Sequence, residues 1–212
     1  MTFDERVKTS EPDESLQIKN QKAIANAILD KLEIIDPHCI LAGGAPRDWL
    51  LGKPAKDLDF YFCSNNSTHT VNTQLFRVGI EPTGGRDTTE LETLYKTMKN
   101  LSRIVYCSFE NSSIQIQLMQ MKTKTFGVLD DFACNMSKAW YKHSKVHVEQ
   151  DFLLGYKAKA IILNEGYKEN DPYIKKIKGY FPDYRVMNRA QAEKAVIMNT
   201  LREINTALQK TC

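Results

Sequence analysis

The stretch from Ile40 to Phe62, ILAGGAPRDWLLGKPAKDLDFYF, constrains this chain more than any other. It reads as a short apolar strand, a double-glycine turn, a turn or two of helix, a basic loop and a second strand. The second strand carries Asp57 and Asp59 with one residue between them. Alternate strand residues share a face, so the two carboxylates lie on one side with α-carbons roughly 6.5–7 Å apart. Carboxylates at that spacing can converge on divalent cations, as two-metal phosphoryl-transfer chemistry requires. The Gly43-Gly44 turn is expected to leave backbone N–H groups and a helix start facing an anion such as a triphosphate.

A chain of 212 residues is long enough for one substantial domain with a buried core, or a domain with a small appendage. It holds no run of about 18 apolar residues, which argues against a membrane span, and the first residues lack the apolar core of a signal peptide. The five cysteines, Cys39, Cys63, Cys107, Cys134 and Cys212, are odd in number and never spaced C-x-x-C. Reduced thiols in a cytoplasmic setting are expected, rather than a zinc site. His143 and His147 stand four apart without further ligand residues nearby and read as surface groups. The net charge of +3 is small, but residues 138–189 hold eleven Lys/Arg against six Asp/Glu. Such a basic half suits a phosphate partner or a solvated lysine-rich face equally.

In chain order, residues 1–14 read as a polar lead-in. Apolar residues from Leu16 to Ile35 recur at helical spacing, predicting a helix from Ser15 to about Glu33 that Asp36-Pro37 ends. Further helices are expected at Arg47–Leu51, Thr68–Val78, from Thr88 or Thr89 through Lys99, Phe126–Leu129, Asp171–Tyr180 and Asn188–Lys210. Strands are expected at Cys39–Ala42, Asp57–Phe62, Arg103–Phe109, Ser113–Met121, Lys138–Lys142, Val146–Glu149 and Lys157–Leu163. Gly79 and Glu81–Arg86 read as a loop, and Glu110-Asn-Ser as a hairpin turn. Strands interspersed with helices, and hairpins in the second half, predict a mixed sheet covered by helices, an α/β (α+β) fold.

A lone D-x-D or Gly-Gly is common; their union in one strand–turn–helix–strand unit is specific. The unit is neither G-x-x-x-x-G-K-[ST] nor G-x-G-x-x-G. Gly43-Gly44-Ala-Pro-Arg47-Asp48-Trp-Leu-Leu-Gly52-Lys53, followed by Asp57-Leu58-Asp59, closely resembles the signature of the poly(A) polymerase/CCA-adding tRNA nucleotidyltransferase head domain, within the DNA polymerase β-like superfamily. A second block, Asp131-Phe-Ala-Cys-Asn135-Met136, resembles that family's segment lining the ribose and base.

The resemblance implies a nucleotidyltransferase fold with a head at 15–155 and a short, mostly helical neck-like extension at 156–212. It implies that Asp57 and Asp59 bind two Mg²⁺ ions, and that Gly43, Gly44, Arg47, Asp131 and Asn135 contact ATP or another NTP. Asp48 would hold the turn. The implied reaction is transfer of NMP to a hydroxyl, with an RNA or tRNA 3′ end as the favoured acceptor and a protein side chain or small molecule as the alternative. A degenerate nucleotide-binding module without turnover is a third reading.

Several family features are altered. Leu129 and Asp130 occupy the places of an arginine pair, so a cation must come from elsewhere, for instance Lys124. The strand that would bear a third carboxylate presents Gln115 and Gln117, with Glu110 the nearest acid in sequence. Pro182-Asp183-Tyr184-Arg185 only loosely resembles the family's base-reading element, so Arg185 is a candidate base contact or merely a solvated arginine beside a helix cap. The resemblance covers about residues 36–150 and is nearer to compact stand-alone enzymes of phages and bacteria than to a full tRNA-repair enzyme.

Overall fold

The computed structural model describes residues 14–87, 98, 100–108, 113–123 and 125–210. The expected lead-in, the helix before Lys99, the turn at Glu110 and the side chain of Lys124 fall almost wholly outside these residues, as does Cys212.

Helix α1 (Leu16–Leu32) starts where Ser15 accepts a hydrogen bond from the Ile18 N–H, and it buries Ile18, Ala25, Ile28, Leu29 and Leu32. That stripe is the helical periodicity read from the sequence, turned inward to face a sheet. Strand β1 (Ile40–Ala42) follows, then α2 (Gly44–Leu50), β2 (Asp57–Cys63) and α3 (Thr68–Arg77), the last capped by Ser67. Strands β3 (Pro82–Asp87), β4 (Leu101–Cys107) and β5 (Gln115–Met121) lead to a short 3-10 turn and α4 (Val128–Asp131). After a second 3-10 turn (Asn135–Ser137) come β6 (Ala139–Lys142), β7 (Lys145–Val148), α5 (Gln150–Ala158), β8 (Ala160–Ile162), α6 (Pro172–Tyr180), β9 (Arg185–Met187) and α7 (Arg189–Lys210).

Seven strands form one sheet in the order β3-β4-β5-β2-β1-β6-β7; β2 and β5 run parallel and the other pairs antiparallel. This is the expected mixed α/β architecture. One sheet face carries Leu58, Phe60, Phe62, Ile116 and Leu118 into a core closed by α1 and α3. The opposite face carries Tyr61, Ile104, Met119 and Met121 against Val128, Leu129 and Phe132. A third core joins Cys134, Met136, Ala139, Phe152 and Ile161 to Ile174, Ile177 and Phe181. It therefore binds the C-terminal segment to the sheet side, and α5 runs unbroken across residue 155.

Three elements differ from the sequence reading. Glu81–Arg86, read as a loop, is mostly strand: β3 lies at the sheet edge, where a leading proline is tolerated, with Gly84 and Gly85 paired to Tyr106 and Val105 of β4 and an irregularity between Pro82 and Gly84. Gln150–Ala158 is a helix that the sequence reading did not recognise, and the expected strand starts only after Lys159 turns left-handed at φ 51°. Gly155 hides this helix from propensity; a Cβ there would collide with the Asn135 side chain and crowd the Ala160 carbonyl. The segment read as an altered base-reading element or helix cap contains β9, paired in parallel with β8. Asn188 does cap α7, exchanging hydrogen bonds with Gln191 in both directions.

Candidate active site

Two buried polar residues fix the unit that carries the site. Gln21 on α1 donates to the Ala55 carbonyl at 2.9 Å and accepts from the Trp49 indole and the Ala55 N–H, both at 2.8 Å. One side chain thus sets α2 against the entry to β2. Asp36 accepts from the Cys63 N–H and the Thr125 hydroxyl, each at 2.7 Å, and so holds the far end of β2. Between these anchors β2 points Leu58 and Phe60 into the core and Asp57 and Asp59 to the other face.

Asp57 pairs in register with Gln115 and Asp59 with Gln117 on β5. The glutamines therefore stand beside the carboxylates, where the resemblance would seek a third acid; they can hydrogen-bond but add no negative charge. Asp59 is the more constrained carboxylate. Its Oδ1 is buried without a hydrogen-bond partner. Burial first, and the neighbouring Asp57 second, push its carboxyl up to about 7, with Lys176 opposing.

Gly43 adopts φ 94° and ψ −122° ahead of α2, a conformation that requires glycine. Its N–H donates to the Ala139 carbonyl at 2.8 Å. This corrects the expectation that both glycine amides face an anion: Gly43 ties β1 to β6, and Gly44 opens the helix. Arg47 is 4% exposed, and its guanidinium binds Asp48 Oδ1 through Nε at 2.8 Å and an Nη at 2.7 Å. It also lies 5.2 Å from the Tyr180 ring centroid and 5.8 Å from that of Phe181. Asp48 holds the turn as expected, its carbonyl accepting from Leu51 and Lys53.

Asp131 ends α4, beside Phe132, whose ring meets Tyr61 edge-on at 5.9 Å. Leu129, at an arginine place of the family pattern, is buried in the apolar core there. Asn135 is 1% exposed. Its Nδ2 donates to the carbonyls of Asp151 and Ala160, and its Oδ1 accepts from the Ile162 N–H at 2.8 Å. That carboxamide is committed to joining α5 and β8, which leaves a nucleotide contact no free hydrogen on it. Arg185 has an exposed side chain on β9, in the second, two-stranded sheet.

The structure thus brings Asp57, Asp59, Gly43, Gly44 and Arg47 together in one unit, and adds an element that sequence reasoning assigned no role. The end of helix α6 reaches that unit, with Tyr180 over the Arg47 guanidinium, while in the first turn the Tyr173 hydroxyl lies 2.9 Å from Ser137 Oγ in the 3-10 turn before β6. Helical periodicity located α6, but nothing local in its sequence says which strand it covers.

Asp57 and Asp59 fit a divalent cation. An orphaned buried carboxylate oxygen next to a second carboxylate is a donor set that a cation would satisfy, and Mg²⁺ commonly takes one or two carboxylates with the rest of its shell from water and substrate phosphates. Among the described residues no group of three or more His, Cys, Asp and Glu suits a metal. His147 instead stacks on Trp140 at 5.1 Å, and Cys39, Cys63, Cys107 and Cys134 are free thiols. Among the described residues no helix is long and apolar enough to cross a membrane.

The fold is nucleotidyltransferase-like. Solved structures of similar fold include a CCA-adding enzyme in complex with CTP (17% identity, TM-score 0.51, 86% of this chain and 41% of that one). Others are the Thermotoga maritima CCA-adding enzyme complexed with tRNA (14%, 0.53, 89% and 44%) and an apo tRNA-processing enzyme (15%, 0.55, 88% and 47%). The chain spans less than half the length of these enzymes, and at such identities the likeness is one of fold. No curated protein matches. Residues 15–159 match the model of the Gabija anti-defense 2 family, and the chain belongs to that family.

Proposed function

We propose that the protein transfers a nucleoside monophosphate from an NTP to a hydroxyl acceptor. The observation that carries this reading is the pair Asp57 and Asp59 on one face of β2, beside the glycine-led start of α2, within a nucleotidyltransferase-like fold. Asp57 and Asp59 would hold Mg²⁺, which supplies charge neutralisation for the triphosphate and activation of the acceptor oxygen. Of the chain's own residues, Gly44 at the start of α2 would orient the donor, while Arg47, bound to Asp48 and covered by Tyr180 and Phe181, would hold that helix in place. Among the described residues it is Gln115 and Gln117 that stand beside them on β5, and a glutamine positions groups by hydrogen bonding without removing protons.

An RNA 3′ end is the favoured acceptor, supported by the basic second half of the chain and by fold relatives solved with CTP and with tRNA. A protein hydroxyl is the second reading, favoured by membership of a family named for acting against a defence system. Asp131 and Arg185 remain candidate nucleotide contacts under either acceptor.

The test offers each of the four NTPs, labelled on the α-phosphate, with Mg²⁺, to an RNA pool and separately to cell protein. Wild type is expected to label RNA, and Asp57→Ala/Asp59→Ala to lose on the order of 10⁴-fold of that rate. Label on protein alone moves the acceptor to the second reading. Incorporation that survives the double substitution rejects the site, and none by the wild type rejects turnover.

A further inference from the structure

Helix α7 carries two apolar stripes, and the fold of one chain uses only the first. In the first half of the helix Ala192 is fully buried, and Ala195 and Val196 pack beside it with Leu154 and Ala158 of α5 and Ala160 and Ile162 of β8. At 100° per residue, Ile197, Leu201 and Ile204 fall within about 60° of one another, on roughly the opposite side of the helix. Met198 borders them. These four side chains are between 45% and 59% exposed. The other exposed large apolar residues among those described are scattered over separate elements, which any protein surface tolerates. A run of them along one helix face marks a contact surface.

The spacing of the second stripe selects its occupant. Ile197, Leu201 and Ile204 are separated by steps of four and three, and the sequence continues with a step of four to Leu208. This is the d-a-d-a order of a coiled-coil seam, which a helix of the same order fills knob into hole. A second copy of the chain supplies such a helix. The flanking e and g positions, Met198, Thr200, Asn205 and Ala207, bear no charge, so two copies meet without like charges along the seam. The a position before Ile197 is Lys194, which a parallel pair would set against its own counterpart. An antiparallel pair instead places Leu201 against Ile204 and brings Lys194 to the C-terminal end of the other helix, where the macrodipole favours a cation. Ala192, Ala195 and Val196 keep the opposite side of α7 on the chain's own core, so each copy's body lies away from the seam.

We propose that the protein self-associates through α7, as an antiparallel helix pair between two copies. From residue 197 to residue 208 the seam is about 17 Å long. That is a smaller contact than the roughly 800 Å² a side of a standard stable interface. The dimer is therefore weak, with a dissociation constant on the order of 10–100 μM. The proposal does not depend on the nucleotidyl-transfer reading above.

Sedimentation velocity of the full chain, from about 5 to about 500 μM, is the test. Wild type is expected to pass from monomer to dimer across that range, and Leu201→Glu/Ile204→Glu to dissociate at least about tenfold more readily. Phe76→Glu puts the same charge on an exposed apolar residue of α3 and is expected to leave the dimer as it is. Thermal unfolding of each variant checks that these exposed substitutions leave the fold intact. Orientation is read by cross-linking in a Cys63→Ser/Cys212→Ser background, which keeps only the buried Cys39, Cys107 and Cys134. A bis-maleimide of about 10 Å span is expected to link Leu201→Cys to its counterpart but not Lys194→Cys, which stands about 25 Å from its own in the antiparallel pair. A monomer at every concentration overturns the proposal. So does a dimer that Leu201→Glu/Ile204→Glu leaves intact, since the two copies then meet elsewhere, or one that Phe76→Glu weakens equally, since only general surface charge then matters. Efficient linking through residue 194 overturns the antiparallel order.

Discussion

The two faces of β2 are built for opposite ends. Leu58, Phe60 and Phe62 point into a closed apolar core, and each is fully buried. Asp57 and Asp59 point the other way, and Asp59 keeps a buried oxygen without a hydrogen-bond partner. Neighbouring residues on one strand therefore differ in what they do for the fold: one face stabilises it, and the other gives up stability to keep two like charges together. Functional sites commonly show this trade.

Substitution on each face breaks the comparison or sharpens it. Phe60→Ala is expected to cost about 3–5 kcal/mol of unfolding free energy, since it removes a large, fully buried side chain. Urea denaturation would show it, and a loss under 1 kcal/mol would mean that the apolar face does not hold the sheet. Asn135→Ala is next, at about 2–3 kcal/mol, because three backbone groups lose their partner. If its nucleotide affinity falls while its stability holds, Asn135 belongs to the site after all.

Asp59→Asn carries the opposite sign. The folded carboxyl lies at about 7 against an ordinary 3.8. Between those values the native state binds more protons than the unfolded chain, so stability falls as pH rises from about 4 to about 7. The asparagine variant is expected to flatten that slope and to gain about 1 kcal/mol at pH 8 without metal. This is less than the full shift implies, because the residue is partly exposed and screened. Thermal melts across pH check it, and an unchanged slope would show that Asp59 is not strained.

Much of this was legible in the order of residues. The β1–α2–β2 unit is contiguous, its glycine, helix and D-x-D signals are local, and the structure reproduces it with α2 starting three residues earlier than Arg47. Helix α1 was legible from its apolar stripe. Strand β3 was not, because its proline and glycines are strand-compatible only when β4 supplies the partner. Helix α5 was hidden by Gly155, which is there to admit the Asn135 side chain. Asn135 itself matched a family position, yet its hydrogen bonds run to residues 16 to 27 positions further on.

The residue order alone carries the alternation that puts both carboxylates on one face of β2, and the glycine that α2 needs at its start. Periodicity and φ preference are local properties, so they survive without knowledge of the fold. That Gly43 spends its N–H on β6 and that Arg47 is shut beneath Tyr180 and Phe181 were settled only by packing. Those contacts join residues more than 90 apart in the chain, and the burial of Ile174 and Ile177 brings them together, which no local pattern encodes.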